Sequence, residues 1–87
     1  MLSNLDLERL TDSDIGHRLT DATGITGLVR IEHRPVRRVV VDFTVRLGEP
    51  GRQREAKVGT WPDRTLAQIR LNAERMRRAE DAVPSAV

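Results

Sequence analysis

Eighty-seven residues without a cysteine bound one small domain that has no disulfide staple, no thiolate chemistry and no cysteine-based zinc site. The net charge of +2 hides a split: residues 1–27 carry two arginines against five carboxylates (−3), residues 28–78 thirteen Lys/Arg against six (+7), and residues 79–87 two carboxylates (−2). So short a chain is not expected to hold a deep catalytic cleft, no apolar run reaches a membrane span, and the acidic start MLSNLDLERL is unlike a secretory signal, so the expected setting is cytoplasmic.

The first residues place Leu2, Leu5, Leu7 and Leu10 in no single period, and residues 1–9 read as an extension ahead of a domain over 10–83. Leu10-Thr11-Asp12-Ser13-Asp14-Ile15 reads as a short helix start, with Thr11 able to cap, acidic residues in the first turn, and Ile15 and Leu19 four apart. Thr20 to Gly24 then reads as a turn.

Three strands are expected next. Gly27–Glu32 sets Val29 and Ile31 against Arg30 and Glu32. Val39–Leu47 is β-branched and alternates Val41, Phe43 and Val45 with Asp42, Thr44 and Arg46. Pro35 keeps the connection between them out of any ladder. Gly48-Glu49-Pro50-Gly51 is a turn, and Arg54–Val58 returns with Ala56 and Val58 inward and Lys57 outward. Thr65 and Gln68 form a capping box for the last element, whose apolar stripe runs Leu66, Ile69, Ala73, Met76 and then Ala79 or Val83. Pro84 follows the expected helix end, and residues 84–87 read as a tail. The expected class is α+β: a three-stranded antiparallel sheet packed on one C-terminal helix, with a short N-terminal helical segment.

Chemistry is sparse. His17 and His33 are the only histidines and share no ligand spacing, so neither a metal nor any other cofactor is expected. Asp12 with Asp14, and Glu80 with Asp81, fall at expected helix ends, where solvation accounts for them. Gly24 and Gly27 resemble half a phosphate-binding loop, but a strand follows them where such a loop needs a helix N-terminus, so they read as a turn. The basic residues form a different pattern. Arg30, Arg46 and Lys57, one from each strand, are expected on the sheet face away from the helix, with Arg34, Arg37, Arg38, Arg52 and Arg54 at the connecting loops. Fourteen of the fifteen basic residues are arginine, whose planar fork suits phosphate and guanine, and a strand ribbon fits a DNA major groove. Phe43 and Trp61, the only aromatics, are assigned to the interior or its border, which disfavours a stacking platform for single strands.

The segment Lys57-Val58-Gly59-Thr60-Trp61-Pro62-Asp63-Arg64-Thr65-Leu66-Ala67-Gln68-Ile69-Arg70 resembles the "LGxYPxxSLAEAR" signature of the N-terminal, arm-type DNA-binding domain of phage and genomic-island tyrosine recombinases (integrases). Phe43-Thr44-Val45-Arg46 is similar to that family's "FRYR" strand, Gly27-Leu28-Val29-Arg30-Ile31 to its "GLYLRV" strand, and Leu10–Ile15 to its opening "LTDxxI". The likeness spans roughly residues 10–84. It departs from the family at Asp42 and Thr44, where basic residues are common, and at Val41, which replaces a tryptophan.

The resemblance implies binding of double-stranded DNA at arm-type sites in integration and recombination, with the sheet in the major groove and Arg30, Arg46 and Lys57 at outward strand positions. Such recombinases cleave DNA with a tyrosine in a separate domain. This chain has no tyrosine, so it is expected to be a binding domain and no enzyme, either a piece of a longer protein or a stand-alone remnant. The partners expected are duplex DNA and other recombinase subunits, with no membrane and no small-molecule substrate. The alternative expectation is a protein-interaction module, in which the basic sheet or the last helix's arginines dock an acidic partner. The acidic N-terminal segment folding back over the basic face is part of that alternative.

Overall fold

The computed structural model describes residues 1–22 and 24–82. Four antiparallel strands form one sheet in the order β1 (Arg18–Thr20), β2 (Ile25–Glu32), β3 (Arg38–Leu47) and β4 (Arg54–Trp61). Helix α1 (Asn4–Glu8) precedes them and α2 (Leu66–Ala82) follows. The class is α+β as expected, but the sheet has four strands where three were expected.

The extra strand lies where the sequence reads as helix and turn. Thr11 N–H donates to Asp14 Oδ2 at 2.8 Å, as a helix start would have it, yet only a 3-10 turn over Asp12–Asp14 forms. Gly16, at φ +88°, then redirects the chain, and Arg18, Leu19 and Thr20 pair with Leu28, Gly27 and Thr26. Leu19 faces the core as a strand residue and has no helical relation to Ile15, which is exposed. Three residues are too few to display a period of two.

β3 is the spine of the sheet. Its register with β2 pairs Val45 with Ile25, Phe43 with Gly27, Val41 with Val29 and Val39 with Ile31, all on one apolar face. Phe43, fully buried, is flanked by glycine on both sides, Gly27 in β2 and Gly59 in β4. A Cβ on Gly27 would stand 2.6 Å from Val41 Cγ1 and 2.9 Å from Phe43 Cε1, so the ring occupies the space a side chain would need. Gly27, the expected first residue of this strand, lies two residues inside it, at a position where packing requires a glycine. On the other side the β3–β4 register shifts between Phe43 and Thr44, leaving Val58 as the extra residue of a β-bulge. Gly59 absorbs that bulge at φ +151°. Val58 turns into the core, and its carbonyl accepts from Asn72 Nδ2 of α2 at 2.9 Å.

The capping box of α2 is present: Gln68 N–H donates to Thr65 Oγ1 at 3.1 Å and Thr65 N–H to Gln68 Oε1 at 2.8 Å. Leu66, Ile69 and Ala73 are buried and Met76 packs beside them, over β3 and β4. Ala79 is exposed and does not extend the stripe; Val83 and the 84–87 segment lie outside the described residues.

Residues 1–9, set apart in the sequence as an extension, contribute to the same core. Ser3 and Asp6 cap α1 reciprocally, at 3.2 and 2.8 Å. This turns Leu7 into the core at 1% exposure, with Leu2 and Leu10 packed against it. Asp21 is the tie. Its buried carboxylate takes both guanidinium contacts of Arg70 at 2.9 Å and the Leu2 N–H at 2.9 Å, while Arg70 also donates to the Leu2 carbonyl. The acidic N-terminus therefore packs beside α2 on the apolar side, and not over the basic face as the alternative reading has it. Its one described ion pair with the basic middle of the chain outside α2 is Asp12 with Arg37 at 2.8 Å.

Candidate nucleic-acid interface

The sheet's second face carries no helix, and the register places its side chains in rows across the strands. One row runs Thr20, Thr26, Thr44 and Lys57; the next runs Arg18, Leu28, Asp42 and Thr60. Beyond them stand Arg30 beside Val40 and then Glu32 beside Arg38. At the opposite end Arg46 pairs with Glu55.

Ion pairs divide this face into two unlike halves. Arg30 binds Asp42 through both Nε and Nη2 and approaches Glu32 at 3.7 Å. Arg38 donates to Glu32 at 2.6 and 2.9 Å and to Asp63 at 2.8 Å. Thr60 Oγ1 completes the set by donating to Asp42 Oδ1 at 2.7 Å. Asp42, Arg30, Glu32, Arg38 and Asp63 thus form a continuous chain of alternating sign, three carboxylates against two guanidiniums. Burial works against ionisation of Asp42, but the hydrogen bonds from Arg30 and Thr60 outweigh it and hold the carboxyl below its ordinary value. The bond to Asp42 holds the Arg30 guanidinium above its own, and Glu32 followed by Asp63 does so for Arg38.

The other half is different in kind. Arg18, Arg46 and Lys57 make no ion pair with a carboxylate among the described residues; Glu55 faces Arg46 across the strands, and the Lys57 charge acts on Asp42 from the neighbouring row. Thr26 and Thr44 bond each other across the strands at 3.3 Å, and Leu28 is half exposed between the rows. Three positive charges against one therefore stand around a patch of threonines.

The eight basic residues singled out in the sequence do not form one patch. Arg46 and Lys57 lie together in the unpaired half, with Arg52 exposed in the adjoining β3–β4 turn. Arg54 has the parity of the apolar side and binds Glu80 of α2 at 2.7 Å. Arg30 and Arg38 are held in the charge chain, and Arg34 and Arg37 sit in the β2–β3 connection at that far end. Arg18 was missed because β1 was missed. Of the arginines on α2, Arg70 is committed to Asp21 and Arg78 to Glu74 at 2.6 Å, which leaves few for a docking stripe.

Phe43 is buried and Trp61 packs against the core, so no aromatic ring lies on the uncovered face. His17 lies 3.6 Å from Asp14 and both histidines are exposed; among the described residues no group of three or more His, Cys, Asp or Glu could hold a metal. No helix among them is long and apolar enough to cross a membrane. No protein-family model, no curated protein and no solved structure matches the chain.

Proposed function

We propose that the chain binds double-stranded DNA through its uncovered sheet face, as the arm-type domain of a tyrosine recombinase would. The observation that carries this reading is the trio Arg18, Arg46 and Lys57, unpaired among the described residues and set around threonines on a face that no helix covers. Unpaired cations gain by releasing the counterions of phosphates, and threonine hydroxyls can donate to phosphate oxygens or base edges. A pleated surface a few strands wide suits the major groove, about 12 Å across. The lack of a Phe or Trp ring on the uncovered face favours duplex over single strands, which are held by stacking. In this reading Arg30 and Arg38 shape the face and contribute little net charge, and strand cleavage belongs to another domain.

The test is titration of labelled duplexes, arm-type repeats among them, at several salt concentrations. Three phosphate contacts give a log–log slope of roughly −3, and Lys57→Ala or Arg18→Ala brings it closer to zero by about one. Arg38→Ala leaves the slope unchanged. Absence of binding at low salt, or equal losses from Arg38→Ala and Lys57→Ala, rejects the reading.

A further inference from the structure

Arg46 of that trio stands near a further arginine, Arg77, where the sheet ends. Arg46, Leu47 and Gly48, at the close of β3, face Arg77 and Glu80 of α2 across a cleft of about 190 Å3. The Arg46 N–H donates to the Gly24 carbonyl at 3.0 Å, which fastens the turn before β2 to this corner. Gly24, at φ +75°, lies between the two arginines: a Cβ there would stand 3.1 Å from Arg77 Nη2 and 3.6 Å from Arg46 Cβ. Glu80, the one carboxylate among the described lining residues, is already engaged by Arg54. Arg46 and Arg77 make no ion pair with any acidic residue whose side chain is described. With Glu80 balanced by Arg54, the described lining keeps the two guanidiniums, and Glu55, across the strands from Arg46, makes no ion pair with it.

We propose that this cleft binds a phosphoryl group, gripped between the guanidiniums of Arg46 and Arg77. Planar N–H forks match phosphate oxygens in pairs. A phosphate monoester, at roughly −1.5 to −2 near neutral pH, balances both charges, while a backbone phosphodiester, at one charge per phosphate, is held by the paired N–H forks and leaves one charge over. Leu47 gives the cleft an apolar wall, and glycine at position 24 leaves its mouth open. The group has two possible sources. One is the backbone of a bound duplex continuing from the row of Lys57 and Thr44 past Arg46 onto α2, which rests on the reading above; the other is a free phosphate ester, which does not.

Titration of the whole chain with inorganic phosphate, at ionic strength held constant with chloride, tests the site through the arginine Nε–Hε signals in NMR. Saturable shifts are expected at Arg46 and Arg77 and not at Arg34, and Arg77→Gln should abolish the response at Arg46 with the fold intact by circular dichroism. Arg46→Gln, at an exposed position, serves if the helix variant does not fold. Shifts that follow ionic strength alone, or an unchanged Arg46 response in Arg77→Gln, overturn the site. The duplex arm separates the sources. A roughly tenfold loss of duplex affinity in Arg77→Gln, with a slope closer to zero by about one, assigns the cleft to a backbone phosphate. Unchanged duplex binding assigns it to a free ester. If the chain binds no duplex at all, the proposed function falls, while the phosphate titration still decides the cleft.

Discussion

Asp21, together with Arg70, joins three distant parts of the chain. Its side chain is fully buried, and it takes two hydrogen bonds from Arg70 and one from Leu2. The Arg70 bonds, helped by the Leu2 N–H, outweigh burial and hold the carboxyl below its ordinary value. On acidification the unfolded chain therefore takes up this proton first. The stability gained from the pair is whole above the unfolded value, near pH ~3.9, and is lost as the pH falls through the folded one. Asp21→Asn should cost about 2 kcal/mol in urea unfolding at neutral pH, less than breaking a fully buried pair because Arg70 is a third exposed. The variant should also show a flatter decline of stability below pH ~4; an equally steep decline would place the acid sensitivity elsewhere. In the sequence Asp21 is one polar residue of a turn, and nothing local marks its partner forty-nine positions away.

At the scale of the element, the sheet is organised by one ring and two missing side chains. Gly27→Ala brings a methyl within 2.6 Å of Val41 Cγ1, and Val41 and Phe43 are already fully buried. Overpacking of this kind costs about 1–3 kcal/mol. Thermal unfolding measures it, and Gly51→Ala is not an equivalent control because its φ of +87° adds backbone strain of its own. Exposed Ala79→Gly, which costs only about 1 kcal/mol of helix propensity, is a fairer comparison. A Gly27→Ala variant as stable as the native chain would mean that β2 and β3 separate more readily than their register indicates. The main strands and α2 were legible because their periods and the Thr65–Gln68 box are local signals. β1 was not, since three residues carry no period, and neither was the bulge at Val58, because inward Val58 and Gly59 only become neighbours in phase once β3 is placed beside them.

For the whole molecule, the apolar face of the sheet needs more cover than α2 alone provides. Leu7, at 1% exposure, supplies it from the N-terminus. Leu7→Ala should cost about 3 kcal/mol and lower Tm by roughly 15 °C in a single cooperative transition. A separate early loss of residues 1–10, with the sheet melting at its native temperature, would show them to be an appendage. The scattered leucines of this segment hid its role, because one buried residue in a five-residue helix sets no stripe. The candidate interface was legible in outline and not in detail. Alternation placed Arg30, Arg46 and Lys57 on one face, but only the register shows Asp42 and Glu32 lying against Arg30, and so moves the free charge toward Arg46, Lys57 and Arg18.

The bulge in β4 and the Asn72 hydrogen bond also govern how this protein can meet another chain. A sheet margin with a row of open N–H and C=O groups is a template on which a foreign strand can polymerise. One margin here is β1, only three residues long, with charged Arg18 at its start. The other is β4, kinked at Val58 and Gly59, its Val58 carbonyl already taken by Asn72, and carrying Arg54, Glu55 and Lys57. Neither margin offers a long, flat ladder, so strand-to-strand aggregation is discouraged, and the proposed binding face is the broad surface that the same features leave open.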